Sequence, residues 1–244
     1  MTKVLLNGYK GRMGQAILDC ARNFSDIEIV GKVDLGDNAE NYIENSDVVI
    51  DFSYHTATPA IAQTCSKYSK ALVIGTTGHN DDEKKTIHEI SKKVPIVWSS
   101  NYSTGVNTLF WLVKKAAETI GVDYDNEVIE IHHRLKKDAP SGTALTLAEI
   151  LAAVRNKQLS EIARYGREGI VGERTRDEIG IHSVRGGDVV GDHTVLFAAP
   201  GERLELTHRA SSREAFASGA LKAAIWIVGK PPGVYSMMDV LGLK

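Results

Sequence analysis

The sequence of 244 residues predicts an α/β protein built from a doubly wound parallel sheet and a second, α+β domain with an open mixed or antiparallel sheet. Three observations carry this expectation. Short apolar strands alternate with amphipathic helices from Lys3 to Trp98, a glycine-rich turn joins the first strand to the first helix, and strand-like runs separated by Gly186-Gly187 and Pro200-Gly201 fill the chain after Ile179.

Lys3 to Asn7 reads as the first strand, followed by Gly8-Tyr9-Lys10-Gly11-Arg12-Met13-Gly14 and a helix with Ile17, Leu18 and Ala21 on one side. Strand, glycine turn and helix in that order suit a dinucleotide: glycine lets the backbone approach a pyrophosphate, and the helix start offers free N–H groups and a positive dipole end. The spacing is G-x-x-G-x-x-G, with Lys10 replacing the middle glycine of the usual pattern. The next strand, Ile27 to Val33, ends at Asp34, about 20 residues past the last glycine, where a carboxylate receives the adenosine ribose hydroxyls. Gly8, Tyr9, Lys10, Gly11, Arg12, Met13 and Asp34 are therefore expected to contact the cofactor.

Gly36-Asp37-Asn38 reads as a turn, Ala39 to Asn45 as a short helix, and Val48 to Phe52 as a buried strand of the kind parallel sheets contain. Helices Thr58 to Tyr68 and Asp81 to Lys93 then alternate with strands Ala71 to Ile74 and Pro95 to Trp98. At the carboxyl ends of these two strands lie Gly75-Thr76-Thr77-Gly78 and Ser99-Ser100-Asn101-Tyr102. Ligands of open α/β sheets bind at such ends, and the hydroxyls and amides there suit a nicotinamide carboxamide. Gly75, Thr76, Thr77, Ser99, Ser100, Asn101 and Tyr102 join the expected cofactor contacts.

A helix from Val106 to Ile120 leads into a strand at Val128 to His132, and period-two alternation puts Glu130 and His132 on one face, Ile131 and His133 on the other. Arg134, Lys136 and Lys137 follow. Ala139 is held extended by Pro140, and Ser141 occupies the N-cap position of a helix running from Gly142 to Val154. The first N–H groups of that helix, together with the cations, form a local anion site for a small acidic ligand.

Between Leu151 and Ile179 the charged sequence reads as a long mobile loop. Ser212 to Val228 is expected to be helical, with the tail from Gly233 to Leu243 returning to the first domain. The expected domains are thus 1–103 with 213–244 for the dinucleotide, and 104–212 for substrate and oligomerisation, with hinges near Ser103-Thr104 and Ser211-Ser212.

Composition narrows the function classes. With 43% hydrophobic residues the chain can bury real cores, and a formal net charge of −2 gives no global attraction to nucleic acid or an anionic membrane. Cys20 and Cys65 lie in helix-like segments and suggest neither a disulfide framework nor a thiolate metal site. No signal core or apolar run long enough for a bilayer is apparent, so a cytoplasmic protein is expected.

Glu130 to Ala144 closely resembles the E-x-H-H-x-x-K-x-D-A-P-S-G-T-A motif of the dihydrodipicolinate reductase family, and Gly8 to Gly14 and Gly75 to Gly78 resemble that family's cofactor loops. The resemblance runs from Gly8 to Arg213 and implies a Rossmann-like first domain. It also implies a homotetramer assembled through the second sheet. It implies hydride transfer from NADH or NADPH to C4 of the dipicolinate ring system, converting 4-hydroxy-tetrahydrodipicolinate to tetrahydrodipicolinate in the diaminopimelate route to lysine. His132 would then be the proton donor or acceptor and Lys136 a second proton donor. His133, Lys136, Ser141, Gly142 and Thr143 would bind the small dicarboxylate substrate, and no metal is implied. Asp34 favours NADH by repelling a 2′-phosphate. Family members that accept NADPH often have arginine where this chain has Leu35, a place Lys10, Arg12 or Lys32 could fill. The region between Asp34 and Asp47 is short for the family. Two other readings stay open: another nicotinamide-dependent dehydrogenase of an amino or keto diacid, and a catalytically silent NAD(P)H sensor.

Overall fold

The computed structural model describes residues 1–243. In chain order its strands and helices are β1 (Thr2–Asn7), α1 (Arg12–Ala21), β2 (Ile27–Val33), α2 (Glu40–Ile43), β3 (Val48–Asp51), α3 (Thr58–Lys67), β4 (Ala71–Ile74), α4 (Asp81–Ser91) and β5 (Pro95–Trp98). They continue as α5 (Thr104–Ile120), β6 (Asp125–His132), α6 (Gly142–Val154), α7 (Leu159–Ile162), β7 (Ala163–Tyr165), β8 (Ile179–Arg185), β9 (Gly191–Ala199) and β10 (Glu202–Ala210). The chain closes with α8 (Glu214–Ile227), β11 (Gly233–Tyr235) and α9 (Met237–Leu241). It divides into two compact units, Met1–Thr104 with Arg213–Lys244, and Gly105–Ser212.

The first unit is a parallel sheet of six strands in the order β11-β5-β4-β3-β1-β2. Every residue of β3 and β4 is buried, as in strands covered on both faces. On one face Val4, Leu6, Ile50, Val73 and Val97 pack with Ile17 of α1 and with Ala217, Ala220, Leu221 and Ala224 of α8. On the other, Leu5, Val49, Leu72, Ile74 and Ile96 pack with Ile61 and Cys65 of α3 and Ile87 and Ile90 of α4. This is the doubly wound arrangement. Strand order reverses between β1 and β3, and an open α/β sheet presents its ligand crevice at such a point.

The second unit holds a mixed sheet in the order β10-β9-β6-β8-β7. The runs after Ile179 do not form a continuous meander. β6 lies between β8 and β9, parallel to β8 and antiparallel to β9. The cause is the crossover through α6, which returns the chain so that β7 and β8 run parallel to β6 before β9 reverses. α6 packs on β6, β8 and β9 and buries Ala144, Leu147, Ala148, Leu151 and Ala152.

The segment expected to be a loop forms α7 and β7 and then runs irregularly and mostly exposed over 166–178, tethered to Glu127. This carboxylate takes both Arg167 guanidinium nitrogens at 3.1 and 2.8 Å, Arg174 Nε at 3.0 Å and His182 Nε2 at 2.7 Å. Burial raises its pKa, but the hydrogen bonds from Arg167 and His182 outweigh that and hold it at about 2. Gly180 makes room for the carboxylate, since a Cβ there would lie 1.7 Å from Glu127 Oε2.

Candidate active site

In the first unit, Gly8 ends β1 in the left-handed region at φ +83°, and a Cβ on it would lie 2.3 Å from the Phe52 carbonyl oxygen. A Cβ on Gly14 would lie 2.6 Å from Tyr9 Cα, so only glycine lets the first turn of α1 close on the preceding loop. Gly11 occupies the N-cap and provides no side-chain cap. The helix start is thereby left for an outside acceptor.

Beside it opens a cleft of about 670 Å³ lined by Gly8, Gly11, Asp34, Leu35, Asn38, Thr56, Ala60 and Thr64, among others. Asp34 Oδ2 accepts from the Lys10 N–H at 2.9 Å and Oδ1 from the Leu35 N–H at 2.8 Å, and these bonds lower its pKa. A glycine cradle, an open helix start and an ionised carboxylate along one cleft fit a dinucleotide.

Asp51, which the sequence reading did not single out, organises the floor of this crevice. It is fully buried and accepts from Asn7 Nδ2 at 2.8 Å, Ser53 Oγ at 2.5 Å, Thr58 Oγ1 at 2.7 Å and Thr76 Oγ1 at 3.2 Å. The next residue, Phe52, lies against Gly75, where a Cβ would be 2.1 Å from its ring. The Gly8 and Gly75 loops therefore rest on one segment.

Two expected cofactor contacts change character. Thr76 is 5% exposed, and its hydroxyl is committed to Asp51 and to the Ser53 N–H at 3.0 Å. Tyr102 is a core residue: its hydroxyl donates to the Ile74 and Val97 carbonyls at 2.8 and 3.1 Å, and Gly219 of α8 closes on its carbonyl. Thr77 and Ser100 are exposed, and Ser99 Oγ donates to the Asn101 carbonyl at 2.9 Å. Tyr9 lies beneath two cations, Lys10 Nζ at 5.5 Å and Lys32 Nζ at 5.9 Å from the ring centroid. Arg12 and Met13 form the first turn of α1.

In the second unit β6 delivers the acid–base group. Its alternation buries Asn126, Val128, Glu130 and His132. His132 Nδ1 donates to Glu130 Oε2 at 2.5 Å, and the same carboxylate accepts from Arg185 Nη1 and Nη2, each at 2.8 Å, and from the Ser141 N–H at 3.1 Å. Burial raises the Glu130 pKa, but Arg185 and His132 overcome it and hold it at about 2. Burial pushes the His132 pKa below its ordinary value, with Glu130 only partly offsetting it. The resting ring is therefore neutral at neutral pH, not a cation adding to the anion site.

Ser141 caps α6 as the sequence predicts, its Oγ accepting from the Ala144 N–H at 3.2 Å and lying 3.0 Å from His193 Nε2. Gly142 has open space around it, with nothing within 4 Å of a built Cβ, and Thr143 is half-buried in the same first turn. Lys136 pairs with Asp138 at 3.0 Å, and Arg185 Nη2 also donates to the Asp138 carbonyl at 2.7 Å. His132, His133, Lys136, Ser141, Gly142 and Thr143 all lie between the carboxyl end of β6 and the start of α6.

Arg185 and His193 were missed by sequence reasoning. His193 is 4% exposed, its ring centroid 5.1 Å from that of His132, and burial pushes its pKa down to about 3.

A dinucleotide-type sheet and an oriented histidine beside a cationic, helix-start anion site define an oxidoreductase of the nicotinamide-dependent class. The family models "Dihydrodipicolinate reductase, N-terminus" and "Dihydrodipicolinate reductase, C-terminus" match residues 2–102 and 105–241. The chain belongs to the dihydrodipicolinate reductase family.

It is 52% identical over 244 residues to the 4-hydroxy-tetrahydrodipicolinate reductase of Akkermansia muciniphila, covering 100% of this chain and 99% of the relative. To that of Anaeromyxobacter dehalogenans it is 46% identical over 267 aligned positions, with the same coverage. Among solved structures, dipicolinate-bound dihydrodipicolinate reductase from Paenisporosarcina sp. TG-14 matches the fold with a TM-score of 0.79 at 24% identity, covering 98% of both chains.

Proposed function

We propose that this chain reduces 4-hydroxy-tetrahydrodipicolinate to tetrahydrodipicolinate in diaminopimelate and lysine formation, adding one hydride and one proton and losing the 4-hydroxyl as water, and using NADH in preference to NADPH. The observation that carries the reading is the convergence of the Glu130-oriented His132, Lys136 and the open α6 start in one place. The dinucleotide belongs to 1–103 with 213–244, and substrate and assembly to 104–212. A bound reduced nicotinamide supplies the hydride.

On this reading the Gly8–Met13 turn takes the pyrophosphate and Asp34 the ribose hydroxyls, with negative charge disfavouring a 2′-phosphate. Gly75–Thr77 and Ser99–Asn101 take the nicotinamide side, while Tyr102 anchors the second of these loops in the core. His133, Lys136 and the helix start at Gly142 and Thr143 hold the two carboxylates by charge and N–H donation, with Ser141 setting that start as its cap. A dianionic substrate beside the neutral His132 ring raises its proton affinity, so that Nε2, the nitrogen not held by Glu130, takes up and delivers a proton. Lys136 is the second proton donor and stabilises developing negative charge.

A cytoplasmic homotetramer fits two further features. The sheet face away from α6 sets Ile129, Ile131, Val184 and Leu196 among Glu127, His182, Asp192 and Thr194, a mixed surface suited to a second copy. Cys20 and Cys65 are both free and buried.

The test is oxidation of NADH and of NADPH with substrate generated by a coupled synthase, run beside a panel of amino and keto diacids. Turnover of the cyclic substrate alone, faster with NADH, is expected. Turnover of an open-chain diacid instead would move the assignment to another dehydrogenase, and cofactor binding without any turnover would indicate a sensor.

A further inference from the structure

We propose that Glu130 and Arg185 act together as the positioning pair of His132: Glu130 fixes the ring so that only Nε2 exchanges protons, and Arg185, by pairing with both carboxylate oxygens, counters the pull of Glu130 toward a charged ring. Neither residue would touch substrate. Their effect is exerted through His132.

The geometry of the carboxylate leads to this assignment. Glu130 is fully buried, and its lone pairs are filled by pairs of donors: Ser141 N–H and Arg185 Nη2 on Oε1, His132 Nδ1 and Arg185 Nη1 on Oε2. A carboxylate accepting from Nδ1 makes that nitrogen the protonated one in the neutral ring, leaving Nε2 as the acceptor. On β9, Gly191 keeps the space beside Nε2 clear, since a Cβ there would approach it to 2.9 Å.

A lone buried carboxylate 2.5 Å away would favour the imidazolium strongly. Burial opposes that bias most, and Arg185 weakens it further by pairing with both oxygens. The other groups facing His132 are Lys136 on the following loop, which disfavours a second positive charge, and the neutral His193 on β9. Arg185 also donates to the Asp138 carbonyl, so the same guanidinium ties the loop carrying Lys136 to the dyad.

The experiment is an NMR titration of the His132 imidazole in the full chain without cofactor or substrate, with nitrogen shifts reporting the tautomer and His132→Gln assigning the signals. Arg185→Met should raise the His132 midpoint by about one pH unit or more. Glu130→Gln should lower it and mix the tautomers, because an amide cannot accept from all four donors. Arg185→Lys, which restores the charge but not the two-point pairing, should bring the midpoint back from the Arg185→Met value toward wild type.

An unmoved or lowered midpoint in Arg185→Met, or a raised one in Glu130→Gln, overturns the proposal. If Arg185→Met does not fold, the Glu130→Gln arm decides: a lowered midpoint with mixed tautomers supports the proposal, and a midpoint that is not lowered overturns it. The link to turnover rests on the reductase reading: the pH profile of kcat should move with the titration. Midpoints that shift as stated in a protein without turnover would leave this pairing intact and sink that reading instead.

Discussion

Acidification should unlock the second unit through His193, and the size of the effect follows from where the ring sits. It is buried between Ser141 and His132, and its pKa lies at about 3 against an ordinary value near 6.5. A histidine whose folded pKa is depressed contributes stability that is complete above the unfolded value and lost as pH falls toward the folded one. Between pH 7 and pH 5 the unfolded ring gains a proton that the folded ring refuses. At about 1.4 kcal/mol per unit below the unfolded pKa, the cost is about 2 kcal/mol.

His193→Gln keeps an amide near the Ser141 hydroxyl and cannot titrate. Amide exchange of β6 and β9, corrected for its intrinsic pH dependence, would give local unfolding free energies for both proteins at the two pH values. Wild type should lose about 2 kcal/mol more than the variant on acidification, whatever their difference at neutral pH. Equal losses would refute the reasoning, because they would mean that His193 is not held neutral by burial.

Three further outcomes are expected. Asp34→Asn should shift the ratio of kcat/KM for NADPH over NADH upward by about tenfold, since it removes a charge held ionised by two backbone donors beside the ribose position. Gly14→Ala should cost about 2 kcal/mol or more in thermal or urea unfolding and weaken cofactor binding, because its Cβ meets backbone of Gly8 and Tyr9 rather than a flexible side chain. Arg174→Ala should speed proteolysis and amide exchange in 166–178 while sparing α6, as it releases bonds to Asp125, Glu127 and the Asn126 and Glu178 carbonyls.

Features set by neighbours in the chain were legible in the sequence. The glycine turn, the Ser141 cap, the start of α6 at Gly142 and the shared face of Glu130 and His132 all depend on spacings of a few residues. What sequence reading missed depends on register. Arg185 and Glu130 meet across paired strands although they lie 55 positions apart, and His193 faces Glu130 through antiparallel pairing that no local pattern specifies. Asp51 closes the apolar strand β3, and its four donors come from Asn7, Ser53, Thr58 and Thr76. Tyr102 was misplaced because its run of small polar neighbours reads as a loop, while Gly219, on the distant α8, lets the core close over it. The charged stretch is a long exposed loop over 166–178, as expected, but its tether was not legible, since the Glu127 that gathers Arg167 and Arg174 lies on β6.

The central claim is that His132 and Lys136 deliver the protons of the reduction. It is tested most directly by kcat with the coupled-synthase substrate in wild type, His132→Gln and Lys136→Ala, with cofactor affinity measured in parallel. A fall of about 10²-fold or more in each variant at unchanged cofactor affinity is predicted. Rates within a few-fold of wild type in both variants would contradict it.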